Sequence, residues 1–301
     1  MARILAVGIV ALDIISEVES YPAEDSEIRA LSLHYRRGGN AANTLVVLGQ
    51  LGHDCEWAGT WVKGPEAAIA MADLEANGIA YRYARCLPRG RLPTSCVLLS
   101  RAGGSRTIVH YRELPEFEAG DFSAVPLEGF DWIHFEGRNV AQTRMMMQQA
   151  RARAPRARIS LEAEKAREGM ESLFPLADVI LFSRDFARAS GLSPKALLAR
   201  VRGDHGAREL VCALGEEGAI ALDRRGRSLY CEAVPPAELV DTLGAGDTFN
   251  AGVIDALSAG VPLARALQFA TRLAGLKCAQ SGLANLRIPP RSYRPRGRGR
   301  P

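Results

Sequence analysis

The sequence lacks a long apolar run. Its longest such stretch, residues 4–15, is interrupted by Asp13 and is shorter than the ~18 residues that a membrane-spanning helix requires. No positively charged segment followed by an apolar one, the pattern of a secretory leader, precedes it. We therefore expect no membrane association and a cytoplasmic location.

Patterns for metal binding and for disulfides are also absent. The six cysteines form no CxxC pair, and the five histidines form no HExxH or similar cluster. A chain of 301 residues can bury a core large enough to fold without disulfide bonds. The sequence therefore predicts reduced thiols and no structural metal.

Positive charge is concentrated at one end of the chain. The sequence has 38 basic and 34 acidic side chains, a net charge of +4. Residues 287–301 hold six arginines and no acid, so residues 1–286 carry 32 basic and 34 acidic side chains, net −2. The body is therefore unlike a nucleic-acid-binding domain. We predict one domain, 1–286, followed by a disordered Arg/Pro/Gly tail, 287–301.

The two best-known phosphate-binding fingerprints are missing. No GxxxxGK[ST] P-loop occurs, and Gly8 stands alone after the first apolar segment, where a dinucleotide-binding chain has GxGxxG. This absence argues against a nicotinamide-dependent dehydrogenase. A nucleotide has to bind by another route.

Short apolar segments alternate with segments of helical period. Buried strands are predicted at 4–10, 132–135, 157–161, 179–182 and 210–214. Helices are predicted at 41–51, 65–77, 143–152, 193–201, 247–258 and 263–280. This order predicts an α/β fold with a doubly wound, mostly parallel sheet flanked by helices.

Four other segments partly alternate apolar and polar residues: 14–19, 27–33, 94–100 and 106–111. That pattern is typical of half-exposed antiparallel strands. We expect these parts of regions 14–33 and 94–111 to form a small sheet that projects from the body. Its apolar face needs a cover, so it is predicted to be a lid, a dimer surface or both.

The segment DTLGAGDTFNAG, residues 241–252, places Gly244 and Gly246 just before a predicted helix. Backbone amides at such a helix end can approach a phosphate closely. Asp247 lies in the first helical turn, where it can act as a cap worth ~0.3–1 kcal/mol. It can equally act as a general base that takes the proton of an acceptor hydroxyl. The residues alone leave both roles open.

The segment RRGGNAAN places Gly38 and Gly39 before Asn40 and Asn43, which are three residues apart and share a helix face. Two side-chain amides on one face suit a polyhydroxy compound, and Asp13 can add a carboxylate that accepts hydrogen bonds from hydroxyls. Turn formation and capping also explain these residue types.

Together, and in this order, these two segments resemble the signatures of the PfkB/ribokinase family of carbohydrate kinases. The resemblance runs from about residue 4 to about residue 282, and SRTIVHY, WIHFEGRN and SLEAEKAREG are similar to the ketohexokinase branch of that family. The resemblance implies a kinase that uses ATP and Mg²⁺, with a small β-sheet lid. It also implies a sugar acceptor, in this branch a ketohexose such as fructose at its 1-hydroxyl.

The resemblance assigns roles position by position. Asp247 would be the catalytic base, with an anion hole from Gly244, Ala245 and Gly246. The sugar would be held by Asp13, Gly39, Asn40 and Asn43. The nucleotide would be bound by Arg106, Ala213, Leu214, Gly215, Glu216 and Cys278. The resemblance also implies a homodimer that pairs through the lid, with Asp25 near the partner's site.

One motif departs from the family pattern. Many members carry Asn-x-x-Glu, which organises magnesium and phosphate, and the corresponding stretch here reads Phe182-Ser183-Arg184-Asp185. Asp185 is the candidate for the acidic role at the metal.

Two alternatives remain open. A kinase of the same family could act on a sulfonated or acid sugar or on a nucleoside, because Glu136, Arg138 or Glu164 could each face the acceptor. The other is a non-catalytic descendant, either a sugar-binding protein or an RNA-associated scaffold that uses the tail, although such a protein would not require the intact GAGD sequence.

Overall fold

The computed structural model describes residues 1–103, 105–206 and 208–289. Most of the predicted tail, 290–301, lies outside these ranges.

The described residues contain fourteen strands: β1 (Arg3–Val7), β2 (Ala11–Val18), β3 (Ser32–Gly38), β4 (Asp54–Ala58), β5 (Thr60–Val62), β6 (Arg85–Leu87), β7 (Thr94–Ser100), β8 (Arg106–Tyr111), β9 (Trp132–Glu136), β10 (Arg158–Ala163), β11 (Val179–Ser183), β12 (Glu209–Ala213), β13 (Ala219–Leu222) and β14 (Ser228–Cys231).

Eight α-helices lie between and after the strands of the described chain: α1 (Asn40–Gln50), α2 (Pro65–Ala76), α3 (Ala119–Phe122), α4 (Val140–Arg153), α5 (Arg184–Ala189), α6 (Pro194–His205), α7 (Ala245–Ser258) and α8 (Leu263–Cys278). Short 3₁₀ helices occur at Leu127–Gly129, Met170–Leu176 and Gly215–Glu217. None of the described helices combines the length and the apolar character that crossing a bilayer requires.

The large sheet has eight strands in the order β14-β13-β12-β11-β10-β9-β1-β4. Strands β4, β1, β9, β10, β11 and β12 are parallel, and β13 and β14 add an antiparallel edge. The predicted mostly parallel α/β architecture is therefore confirmed. The sequence prediction missed β4, β13 and β14, which lie toward the two edges of the sheet.

Helices cover both faces of this sheet. Along β1, Ile4 and Ala6 belong to one buried apolar cluster and Leu5 and Val7 to another, because successive side chains of a strand point to opposite faces. The first cluster includes apolar residues of α1, α2, α7 and α8, and the second includes those of α4, α5 and α6. Burial on both faces explains why these strands appear in the sequence as continuous apolar runs.

A separate four-stranded sheet, which we call the lid sheet, has the order β3-β2-β7-β8. The small projecting sheet was predicted, but its second strand is β3, at Ser32–Gly38, rather than residues 27–33. Strand β3 is a largely exposed edge strand with polar side chains, so no apolar alternation marks it in the sequence. Its last residue, Gly38, leads through Gly39 directly into α1.

Candidate active site

A cavity of about 800 Å³ lies between the large sheet, the lid sheet and the start of α7. The carboxyl ends of β10, β11 and β12 supply Glu162, Ser183 and Ala213 to its lining. The lid sheet contributes Asp13, Ser95, Arg106 and His110, and the start of α7 contributes Gly244, Gly246 and Asp247. The two motifs singled out in the sequence therefore meet in one cavity.

The start of α7 presents backbone amides to this cavity. Gly244 precedes the helix with φ +77°, and the first intrahelical hydrogen bond runs from Thr248 N to Gly244 O at 2.9 Å. The amides before it, including that of Gly246, have no helical acceptor. A Cβ built on Gly246 would meet no atom within 4 Å. The Ala245 amide donates to Thr242 O at 3.2 Å, so of the three predicted anion-hole residues it is the one already engaged within the loop.

Asp241 anchors the loop that leads into α7. Its carboxylate accepts hydrogen bonds from Leu243 N at 2.8 Å, Gly282 N at 2.9 Å and Arg36 Nη1 at 3.1 Å. The fully buried Lys277 donates from Nζ to the backbone oxygen of Asp241 at 2.7 Å. Burial alone would raise the pKa of Asp241, but the Gly282 amide and the Lys277 ammonium outweigh it and hold the pKa below its ordinary value. The loop therefore keeps an ionised anchor.

Asp247 lies in the first turn of α7 and is only 7% exposed. Its Oδ2 accepts a hydrogen bond from Asn43 Nδ2 at 2.7 Å. Burial raises the pKa of Asp247 to about 7, the Asn43 hydrogen bond opposes this rise, and the carboxylates of Glu164 and Glu136 add to it. A carboxyl group that exchanges its proton near neutral pH has the property that a general base needs.

A buried arginine lies behind this contact. Arg37, at the end of β3, has a side chain that is 3% exposed. Its Nη1 donates to Asn43 Oδ1, and its Nε donates to Asp73 Oδ2 of α2 at 2.6 Å. Four elements, α2, β3, α1 and α7, are therefore joined by one chain of side-chain hydrogen bonds that ends at Asp247.

Asn40 and two glutamates line the neighbouring part of the cavity. Asn40 Nδ2 donates to Glu162 Oε1 at 3.2 Å and to Glu164 Oε2 at 3.1 Å. Asn250, one turn beyond Asp247 on α7, donates to Glu162 Oε1 at 3.0 Å. Glu162 Oε2 is buried and has no hydrogen-bond partner in the described part of the chain. Burial and the charge of Asp247 raise the pKa of Glu162 well above its ordinary value.

Asp13 lies within β2 of the lid sheet and lines the cavity. Burial raises its pKa, and a hydrogen bond from Ser95 opposes this effect. The glycines beside it are needed for close packing: a Cβ on Gly38 would lie 2.4 Å from Asp13 Oδ2, and one on Gly39, at φ +100°, would lie 2.2 Å from Ile9 O. Asp13, Gly39, Asn40 and Asn43 all line this cavity.

The predicted nucleotide residues are only partly gathered. Arg106, at the start of β8, donates from Nη1 to Thr242 Oγ1 at 2.8 Å and so connects the lid sheet to the loop before α7. Ala213 also lines the cavity. The other four candidates lie outside its lining: Leu214, Gly215, Glu216 and Cys278. Glu216 points into solvent, where it pairs with Arg184 at 2.9 Å.

Asp185 is not brought to the cavity. Its side chain is 80% exposed and pairs with Arg188 at 3.4 Å, because Ser183 caps the start of α5 and Asp185 then projects from the first turn into solvent. Within residues 1–103, 105–206 and 208–289, no group of three His, Cys, Asp or Glu side chains is arranged to hold a metal ion. The carboxylates that line this cavity include Glu162 and Glu164, beside Asp13 and Asp247.

Residues 1–289 match the family model described as pfkB family carbohydrate kinase. The chain belongs to this family. It is 42% identical to the ketohexokinase of Mus musculus over 292 residues, which cover 93% of this chain and 97% of that protein. It is 27% identical to the 2-dehydro-3-deoxygalactonokinase of Haloferax volcanii, over 85% of this chain and 86% of that protein.

The fold also matches solved structures of the family. The Arabidopsis thaliana ribokinase, solved in complex with ribose and ATP, superposes with a TM-score of 0.77 at 19% identity and covers 93% of this chain and 94% of that chain. At this identity the match supports the fold alone. The expected family and the ribokinase-like fold are confirmed, and this PfkB-family protein is a sugar kinase, a transferase acting on an alcohol group.

Several site residues were missed by the sequence reasoning. Arg37 and Asn250 lie inside the two quoted motifs, and the three-residue spacing of Asp247 and Asn250 was a usable signal for a shared helix face. Asp73 and Lys277 gave no such signal, because they are ordinary charged residues on helices and only the tertiary structure pairs Asp73 with Arg37 and buries Lys277.

Proposed function

We propose that this PfkB-family kinase transfers the γ-phosphoryl group of ATP to the 1-hydroxyl of a ketohexose, with fructose as the leading acceptor and Asp247 as the general base. The observation that carries the proposal is the buried carboxyl of Asp247 at the start of α7, with a pKa of about 7 and one oxygen fixed by Asn43. The similarity to mouse ketohexokinase over 93% of the chain supports the choice of acceptor.

In the proposed reaction, Asp247 Oδ2 is occupied by Asn43, which leaves Oδ1 to accept the hydroxyl proton. The acceptor oxygen forms a bond to the γ-phosphorus while the bond to the β,γ-bridging oxygen breaks, and ADP leaves. The proton passes to Asp247 as the hydroxyl attacks. Asp13, Asn40 and Asn43 would hold the other hydroxyls of the sugar, because amide and carboxyl groups bind polyhydroxy compounds by hydrogen bonds.

The start of α7 would receive the phosphate groups. Gly246 lines the cavity with open space beside it, and the positive end of the helix favours negative charge there. Arg106 reaches this loop from the lid sheet, as its contact with Thr242 indicates, and would contact the phosphates on the donor side. Anion binding by fixed amides and a guanidinium stabilises the charge on the transferred group.

Magnesium would arrive with the triphosphate, since this ion usually keeps several waters and takes only one or two protein carboxylates. The buried Glu162 Oε2, which lacks a partner in the described part of the chain, and Glu164 are the oxygen donors that fit. Mg²⁺ would neutralise charge on the phosphates. Asp185 remains the family-based candidate, but its exposed position outside the cavity lining favours these two glutamates instead.

The lid sheet supports a homodimer. A row of side chains across its four strands, Tyr35, Ile14, Cys96 and Val109, is largely apolar, and Val109 is 68% exposed. Pairing of two such sheets would cover this surface and would bring Asp25 toward the partner's cavity.

Light scattering should give a dimer mass for the wild type and for Met145→Glu, an exposed apolar residue of α4, but a monomer mass for Val109→Glu. A wild-type monomer would refute this pairing.

The six cysteines carry no disulfide, and all lie in described residues. Free thiols are typical of proteins in reducing compartments, and this supports the cytoplasm as the location of this kinase.

A sugar acid is the second candidate acceptor. Lys165 and Arg167 line the cavity together with Arg138, and the 2-dehydro-3-deoxygalactonokinase relative is named for a sugar acid. Against this, Arg138 is already paired with Glu116 at 2.8 Å and Glu136 at 3.2 Å, which favours an uncharged acceptor.

The proposal is tested by measuring ADP release from purified protein with ATP and a panel of ketoses, aldoses, sugar acids and nucleosides. We expect the largest kcat/KM with fructose and a product phosphorylated at the 1-hydroxyl. Preference for a sugar acid would support the second candidate. Sugar binding without ADP release from any panel member would show a non-catalytic protein and overturn the proposal.

A further inference from the structure

Arg37 is a buried charge for which the proposed phosphoryl transfer has no direct use. Its side chain is 3% exposed, and its guanidinium is held by Asp73 Oδ2 at 2.6 Å from Nε. Burying a guanidinium is costly unless it is paired and hydrogen-bonded, and Asp73 supplies that partner. A second donor, Nη1, is directed at Oδ1 of Asn43.

The contact with Arg37 decides which way the Asn43 amide points. A guanidinium has only donors, so the Asn43 atom that faces it has to be the carbonyl oxygen. The amide nitrogen is then turned toward Asp247 Oδ2, where it donates at 2.7 Å. In the opposite orientation, the carbonyl oxygen would face the carboxylate and the amide NH₂ would face Arg37, so both contacts would become repulsive.

We propose that Arg37, itself oriented by Asp73, is a positioning residue that fixes the Asn43 amide and thereby the general base Asp247. This inference rests on the proposed function. Arg37 touches neither the acceptor nor the phosphate in this scheme. Its effect is to keep Asp247 Oδ2 occupied and to aim Oδ1 at the hydroxyl.

The position of Arg37 also connects the base to the lid sheet. Arg37 pairs with Leu12 of β2 in the lid sheet, and the chain passes from Arg37 through Gly38 and Gly39 into α1. The orientation of Asp247 therefore depends on the position of the end of β3, where the lid sheet leads into α1.

The charges around Asp247 set the direction of the pH test. Burial raises the pKa of Asp247, the carboxylates of Glu164 at the end of β10 and Glu136 of β9 raise it further, and the charge of Arg37 lowers it together with the Asn43 hydrogen bond. The charge of Asp247 in turn raises the pKa of Glu162 of β10. Without the Arg37 charge, a larger share of Asp247 is protonated at neutral pH.

Three variants distinguish the orienting effect of the Arg37 side chain from the effect of its charge: Arg37→Met, Arg37→Lys and Asp73→Ala. Arg37→Met should lower kcat roughly tenfold to a hundredfold, as misplacement of a catalytic group does, leave the KM for ATP unchanged and move the acid limb of kcat/KM to higher pH. Arg37→Lys keeps the charge but not the forked geometry, so it should lower kcat with little movement of the acid limb. Asp73→Ala should lower kcat less than Arg37→Met.

Arg158→Met is the matched control, because Arg158 is partly buried and, like Arg37, is paired with an acid, Glu209, but lies outside the cavity lining. It should keep the wild-type kcat and acid limb. An unchanged kcat and acid limb in Arg37→Met, or equal losses in Arg158→Met, would overturn the proposal. If Arg37→Met fails to fold, wild-type kinetics in both Arg37→Lys and Asp73→Ala would do the same.

A readout without turnover distinguishes this inference from the proposed function. The Asp247 carboxyl carbon can be titrated by NMR in the wild type and in Arg37→Met, with Asp247→Asn used to assign the signal. A higher titration midpoint in Arg37→Met supports the Arg37 effect even if the wild type phosphorylates no tested sugar. If Asp247 titrates with the same midpoint in Arg37→Met as in the wild type, and kcat is unchanged, the role of Arg37 is rejected. The kinase proposal would still stand.

Discussion

Asn43 Nδ2 donates a 2.7 Å hydrogen bond to Asp247 Oδ2, which joins the first turn of α1 to the first turn of α7. The two residues are 204 positions apart in the chain. Each belongs to one of the two motifs that suggested a carbohydrate kinase. Asp247 is a buried carboxyl, and this contact holds one of its oxygens in the cavity.

Asp247→Asn should fold and lose ~10²–10⁴ in kcat, the range that general base catalysis supplies. The change removes the proton acceptor but keeps the shape of the side chain and an oxygen that can face Asn43. Steady-state ADP release with fructose, alongside circular dichroism, checks this outcome. A variant with wild-type kcat would remove Asp247 from the mechanism.

The same substitution should stabilise the protein at alkaline pH. The pKa of Asp247 rises from 3.8 to about 7 on folding, so the protonated form is favoured in the folded state, and this contribution is lost as the pH rises through about 7. An asparagine avoids the burial of a charge. Asp247→Asn should therefore unfold at a higher temperature than the wild type at about pH 8, with a smaller difference at about pH 4. A lower melting temperature at the alkaline pH would contradict the raised pKa.

The pH profile of the wild type reports the same group. Because a general base acts only when deprotonated, log kcat/KM should rise with pH and level off above about 7, near the pKa of Asp247. The measurement is kcat/KM for fructose across this range at saturating ATP. A profile that stays flat well below this pH would show that no group of raised pKa controls the reaction.

Lys277→Met should cost about 3–5 kcal/mol in the free energy of unfolding, because it leaves a buried charge on Asp241 with one partner fewer. The loop before α7 should also loosen and raise the KM for ATP. Urea unfolding and initial-rate kinetics measure the two effects. Lys195→Met, at an exposed position of α6, is the matched control and should change neither. An equally stable Lys277→Met would mean that Asp241 is held by its other donors alone.

The two glycines at the start of α7 should respond differently to substitution by alanine. Gly244 has φ +77°, so alanine there should cost ~1–2 kcal/mol in stability. A Cβ on Gly246 would meet no protein atom within 4 Å, so Gly246→Ala should keep the wild-type stability and raise the KM for ATP, because the added methyl group occupies cavity space. Thermal unfolding and ATP titration of both variants provide the comparison. Wild-type ATP kinetics in Gly246→Ala would mean that phosphate does not approach this amide.

Much of the site could be predicted, since the residues of the two motifs are close in sequence and fold locally. The spacing of Asn40 and Asn43 placed both amides on one side of α1, and the glycines placed Asp247 at a helix start. Leu214, Gly215, Glu216, Cys278 and Asp185 lie outside the lining of the cavity that holds the two motifs, and their roles stay predictions. Whether a residue near a strand end or helix end faces a cavity depends on the local turn, which type and spacing do not encode.

The sequence by itself determined the α/β class, the family and the helix start that carries Asp247, because apolar periodicity and glycine placement act over a few neighbouring residues. Only the tertiary structure decided that Arg37 and Lys277 are buried, that Arg37 pairs with Asp73, and that Glu162 has an unpartnered oxygen in the described site. These properties come from contacts between distant segments. The burial that raises the pKa of Asp247 to about 7 exists only when α1, α7 and the end of β10 are packed together.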